Sequence, residues 1–278
     1  MPRYSALRRQ HGWIDAHDPE PAQLIVSDLK KDFNAAAGDA FLVVIDTFSD
    51  ERNGFEFAVN PAGAKWDAQV ANEGRESNAN WDGIWDVKTR MTETGWYAEI
   101  WIPFRTLKFS SADSQVWGVN FQRKLRRLNE DSYWSPLPRI YDIERVSYAG
   151  QMNGMVGLRS GRNIRIKPWV LSSGTQIAAK PSTSDFQGGI DAKYGLTKSL
   201  TADFTYNTDF AQVEDDTQQV NLTRFNLFFP EKREFFLEGQ GLFAFGGSTG
   251  STNSNTPVLF FSRAIGLNNG TPVPILGG

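Results

Sequence analysis

The sequence predicts an all-β chain: an antiparallel β-sandwich followed by β-hairpins of the kind that build an incomplete outer-membrane-type barrel. Three observations lead there. Short apolar runs are separated by turn residues, with few helical signals between them. Between Ile164 and Asn207, apolar and polar residues alternate. Every tryptophan except Trp169 precedes Tyr148, so the two halves are built differently. The glycine-rich stretch Tyr148–Arg162 marks the boundary, giving domains 1–149 and 150–278.

In the first half, Ala40–Phe48 is a nearly continuous apolar strand suited to burial on both faces. The turn residues of Ser49–Gly54 follow, then a strand over Phe55–Asn60, then the turn Asn60-Pro-Ala-Gly63. Trp85, Val87, Thr89 and Met91 alternate with Asp86, Lys88 and Arg90, while Trp96, Ala98, Ile100 and Ile102 alternate with Tyr97, Glu99 and Trp101. A hairpin closed over Thr92–Gly95 pairs Met91 with Trp96 and puts both apolar sets on one face. Trp85 and Trp96 therefore face the core; Tyr97 and Trp101 take the opposite face beside Glu99. Val116–Phe121 is the last strand before the charged segment Arg123–Asp131.

In the second half, Ile164, Ile166, Pro168 and Val170 oppose Arg165, Lys167 and Trp169. Ile190–Leu196 and Leu200–Asn207 alternate likewise, and a loop at Thr197–Ser199 sets Tyr194 opposite Ala202, Ala192 opposite Phe204 and Lys193 opposite Asp203. One face is apolar and the other charged or hydroxylated. Outer-membrane barrel strands have this dyad pattern, and so does a soluble sandwich with one wet face. Further on, Pro230–Gly239 reads as one or two helical turns, Gly246–Asn255 as a flexible loop and Pro257–Leu267 as a strand. A closed barrel needs about eight strands or more, so a barrel here would be a fragment.

Composition narrows the chemistry. The 278 residues include no cysteine and only two histidines, His11 and His17, which removes disulfides, thiolate zinc sites and three-histidine metal sites and leaves little for a Ser/His/Asp triad. A net charge of −3 argues against a nucleic-acid partner. No apolar run approaches the roughly 20 residues of a spanning helix, and no secretory leader is visible. Carboxylates, arginines, amides and aromatics remain to carry function.

Several segments carry a family resemblance. Ser27–Phe33, Phe41–Phe48, Asn60–Gly63, Trp81–Trp85 and Gly95–Phe104 resemble a family 9 carbohydrate-binding module, in the version fused to a poorly characterised bacterial outer-membrane barrel. Asp209–Phe225, Phe228–Gly239 and Phe260–Leu267 resemble the linker and early barrel of that family. The resemblance spans roughly residues 11–278. It implies a sugar-binding β-sandwich in the cell envelope, an outer membrane or periplasmic location, and an oligo- or polysaccharide partner. It also implies module strands before this sequence and barrel strands after it. Such modules often hold a structural calcium; Asp46, Asp50 and Glu51 are the nearest carboxylates, though their spacing is that of a solvated acidic turn rather than a calcium loop. No other cofactor is expected.

Sugar recognition needs flat aromatic faces against pyranose C–H groups and polar groups for the hydroxyls. The loop tryptophans Trp66, Trp81 and Trp134 suit the first requirement. Asn80, Asp82, Arg123 and Glu130 suit the second. These seven form the expected carbohydrate-binding set, against the plainer reading that each tryptophan lids the core. The expected activity is non-catalytic glycan binding. Two rivals stand beside it: a glycoside hydrolase using Glu99 and Glu130, which would have to face each other across a cleft, and a structural domain of the barrel.

Overall fold

Period-two alternation decides the architecture, because a strand buries every second side chain on one face. The computed structural model describes residues 11–79, 81–158, 164–175, 183–196 and 201–207, together with 262, 265, 267–268 and 271–272. Among these there is no α-helix, only strands, turns and short 3-10 turns. The chain divides into units Met1–Gly161 and Arg162–Gly278.

Among the described residues the first unit contains ten strands: β1 His11–His17, β2 Ala40–Asp46, β3 Gly54–Val59, β4 Lys65–Ala71, β5 Glu76–Asn78, β6 Asp86–Thr92, β7 Gly95–Trp101, β8 Ser114–Leu125, β9 Glu130–Tyr133 and β10 Gly150–Val156. They form two antiparallel sheets. One has the order β1-β7-β6; the other has the order β10-β8-β2-β3-β4-β5, with β9 also pairing with β8. The hairpin register is the expected one, with Met91 opposite Trp96 and Val87 opposite Ile100.

Between the sheets lies the main core. Ala16, Trp85, Trp96, Ala98 and Ile100 meet Val43, Ile45, Phe55, Phe57, Val59, Trp117 and Val119. The larger sheet is apolar on its other face too, where Phe33, Leu42, Val44, Ala58, Val70, Ile143 and Val146 make a second cluster. Continuous apolar β2 serves both clusters, as burial on both faces requires.

A buried ionic clasp joins the two sheets. Asp18, just past β1, is fully buried and accepts two hydrogen bonds of 2.7 Å from Arg127 and one of 3.2 Å from Arg123. The Arg127 guanidinium holds the Asp18 carboxyl below its ordinary value against the opposing effect of burial. A depressed native pKa stabilises the fold above the unfolded value and loses that stabilisation as the pH falls through the native one. Asp18→Asn should lower the unfolding free energy by about 1.5–3 kcal/mol, the scale of hydrogen bonds to charged groups. It should also flatten the acid side of stability profiles measured by urea unfolding; an unaltered midpoint and acid limb would refute the clasp.

The domain boundary moves. Residues 150–156, placed in the second domain by their glycines, form β10 and pair with β8 inside the first unit. Gly150 is needed not for flexibility but for room: a Cβ there would run into the Trp134 ring. His17, which its Asp-Pro context suggests is a turn residue, ends β1 opposite Gly95.

In the second unit, β11 Ile164–Thr175, β12 Thr183–Gly195 and β13 Thr201–Tyr206 form an antiparallel sheet. Tyr194 opposes Ala202, Lys193 opposes Asp203 and Ala192 opposes Phe204, as the alternation predicts. Leu267–Asn268 and Thr271–Pro272 form a small separate ladder. No described sheet closes into a barrel. The readings placed on Leu200, 209–261 and most of 257–267 lie outside the described residues.

Candidate functional site

The six described residues of the expected sugar-binding set do not assemble into one cleft. Trp66 is in β4 rather than a loop, and packs against the second cluster. Trp81 lies on the main core, with ring centroids 5.2 Å from Phe55 and 6.0 Å from Phe57. It is a lid. Asp82 pairs with Lys31, which also reaches buried Asp67 at 3.5 Å. Arg123 is committed to the His17 carbonyl and Asp18. Glu130 is exposed and accepts a 3.0 Å hydrogen bond from Ser132. Trp134 is exposed but packs edge-on against Phe121 at 5.8 Å. Asn80 lies outside the described residues.

Topology explains the dispersal. Trp66 shares the second cluster's face of the larger sheet, whereas Trp134 packs on Phe121, which belongs to the main core face. β4 and β8 are also separated by β2 and β3, about 14 Å at the usual interstrand spacing. Two tryptophans on opposite faces cannot clamp one sugar. The glycosidase pair fails similarly: Glu99 is on β7 of the smaller sheet, on the face turned from the core, and Glu130 is on β9 of the larger one.

Nor do the acidic turn residues suit calcium. The buried Asp46 carboxylate already accepts the backbone N–H groups of Phe48, Asp50 and Glu51 at 3.1, 3.3 and 2.8 Å. Burial holds this carboxyl above its ordinary value, and Asp50 in turn accepts from Arg52 and Asn53. The group is a turn brace. Among the described residues, no cluster of three His, Asp or Glu side chains is arranged to hold a metal ion.

A different constellation emerges on the outer face of the β1-β7-β6 sheet. Because Ile14, Ala16, Trp96, Ala98, Ile100 and Val87 turn inward, Trp13, Asp15, Tyr97, Glu99, Trp101, Asp86, Lys88 and Arg90 turn outward. Trp13 stands directly across from Glu99, and Lys88 faces Glu99 from the other side. Tyr97, between Asp15 and Arg90, lies two residues from Glu99 in one direction; Trp101, beside Asp86, lies two residues away in the other. Tyr97 and Trp101 are thus about 14 Å apart, with Trp13 about 8 Å from each. Their exposures are large for aromatic side chains in a sheet: 76% for Trp13, 41% for Tyr97 and 42% for Trp101.

Sequence reasoning placed Tyr97 and Trp101 away from the core but missed Trp13. Its signal was the short alternation of Ile14 and Ala16 with Trp13 and Asp15, which only pairing with β7 makes a face.

The second unit reverses the usual burial. Its apolar face is the more exposed, including Ile164, Ile166, Val170, Phe186, Phe204 and Tyr206. Its charged face is more covered: Lys193 and Asp203 approach to 3.5 Å, and the buried Thr205 hydroxyl donates to Asp191 at 2.6 Å. Trp169 lies over Gly189, where a Cβ would come within 2.6 Å of the indole nitrogen.

Fold and site define an all-β chain with an aromatic-polar sheet face in its first unit and an inverted, apolar-out sheet in its second. Residues 163–273 match the profile of a domain of unknown function, DUF5916. Comparison with curated proteins and with solved structures yields no match.

Proposed function

We propose that the first unit binds carbohydrate without catalysis, on the outer face of the β1-β7-β6 sheet, and that the second unit seats the protein in an outer membrane. The observation carrying the first part is the exposed trio Trp13, Tyr97 and Trp101 set among Asp15, Glu99, Lys88 and Arg90 on one face. The rings offer flat apolar surfaces to pyranose C–H groups; the carboxylates accept hydrogen bonds from hydroxyls, and the cations donate to ring and hydroxyl oxygens. No proton transfer is required of any residue. The loop tryptophans of the original expectation are better employed as packing.

The second part rests on the inverted burial of β11–β13. In water, exposing an entire apolar sheet face while covering its charged face is unfavourable; in a bilayer, with the charged face toward a lumen, the same arrangement is favourable.

Titration of the full chain with a panel of neutral and acidic oligosaccharides, followed by tryptophan fluorescence, tests the binding site. Saturable quenching is expected, and Trp101→Ala should weaken it about tenfold, equivalent to about 1.4 kcal/mol. Trp66→Ala should leave the affinity unchanged. Absence of saturation across the panel defeats the carbohydrate reading, and equal sensitivity to both substitutions defeats its placement.

A further inference from the structure

The second apolar cluster of the larger sheet is covered in part by the segment 136–149. Ile143 and Val146 point down from it and are almost wholly buried, and a hydrogen bond of 3.0 Å from Arg145 N to Asp142 O and one of 2.9 Å from Ala149 N to Val146 O give it local structure. Arg145 holds it at one side by a 2.6 Å ion pair with Glu73. Asp142 holds it at the other, accepting from the Tyr133 hydroxyl at 3.0 Å and lying 3.5 Å from Lys124.

Under this strap lies an unusual side chain. Glu56, on β3 between Val44 and Ala68, is 2% exposed, and its Oε2 has no hydrogen-bond partner. The charged groups that face it are Glu144 and Asp142 from the strap and Lys124 from β8. Lys124 is shared with Asp131 and Asp142, so it offers Glu56 little compensation. Glu144 is itself raised, by burial first and by Asp142 second. An ionised Glu56 would therefore be a buried, incompletely hydrogen-bonded anion pressed against two acids, a costly arrangement. The protonated form removes that charge.

We propose that the strap 136–149 is held down while Glu56 carries a proton and is released when that proton leaves. The fold then contains a proton-linked latch on the face of the larger sheet opposite the main core. Burial and the two strap acids push the Glu56 carboxyl well above its ordinary value. A raised native pKa gives stabilisation that is complete below the unfolded value and is lost as the pH rises through the native one. Release of one proton on opening makes the open population grow about tenfold per pH unit between the open-state and closed-state Glu56 values, and level off above the latter.

Hydrogen exchange on the full chain, from mildly acidic to alkaline buffer, tests this. The strap amides of Arg145, Tyr148 and Ala149, corrected for intrinsic exchange, should lose protection about tenfold per pH unit. The β2 amides of Val43 and Val44 should not follow, which separates strap release from global unfolding. Glu56→Gln should remove most of the slope, and Glu144→Gln, by letting the closed-state Glu56 value fall, should make the loss of protection level off at lower pH. A flat wild-type profile, a slope preserved in Glu56→Gln, or β2 amides moving with the strap overturns the latch. If Glu56→Gln fails to fold, the wild-type slope and the Glu144→Gln displacement decide the matter.

Discussion

Trp96→Ala is expected to lower the unfolding free energy of the first unit by about 3–5 kcal/mol, the range for truncating a buried tryptophan. Trp96 is 1% exposed and sits in β7 between Ala16 of β1 and Met91 of β6. It belongs to the core shared by the two sheets, so its removal leaves a void that both would have to collapse to fill. Neighbouring Ala16 and Ala98 are too small to swing into the space. Urea unfolding followed by far-ultraviolet circular dichroism gives the loss without relying on the deleted fluorophore. Trp13→Ala, at an exposed position on the same sheet, should stay within about 0.5 kcal/mol of the wild type. A loss below about 1 kcal/mol for Trp96→Ala would show that the sheets are not packed through this residue.

With the second unit seated in a membrane as proposed, Phe204→Arg should reduce its stability by about 2–4 kcal/mol, the scale for a cation on the lipid face near the bilayer midplane. Phe204 is on β13, opposite Ala192, among the exposed apolar side chains of the inverted sheet. Lys193→Gln on the charged face removes one end of a partly exposed ion pair and should cost only about 0–1 kcal/mol. Thr205 is not a neutral control despite lying on the charged face. It is buried and hydrogen-bonded to Asp191, and a carboxylate there would confront that acid. Folding of the full chain into phospholipid vesicles, measured across a urea series, distinguishes the two faces. Equal tolerance of Phe204→Arg and Lys193→Gln would refute the lipid-facing assignment, leaving the proposed carbohydrate site on the first unit untouched.

Much of the fold was legible. The β6–β7 and β12–β13 registers follow from alternation and a short closing loop, because adjacent hairpin strands are paired by local geometry. β1, β9 and β10 were harder. β9 is a four-residue strand paired with its neighbour β8, whereas β1 and β10 take their identity from partners distant in sequence, as when β1 pairs with β7 across some eighty residues. The glycines around 150 carried a boundary signal, yet Gly150 serves the close approach of Trp134.

The candidate site was less legible for the same reason. A tryptophan flanked by Asn and Asp looks available for a ligand, but Trp81 is used by Phe55 and Phe57, and Arg123 is used by Asp18 from more than a hundred positions away. By itself the sequence determined strand periodicity, the inward turn of Trp85 and Trp96, and the two-faced character of residues 164–206. Only tertiary structure decided which aromatics stay exposed together, that Asp18 clasps two sheets, and that Glu56 lies beneath a strap of like charge. Side-chain period is a property of neighbouring residues, whereas convergence on one surface depends on which distant strands pair and which faces they then cover.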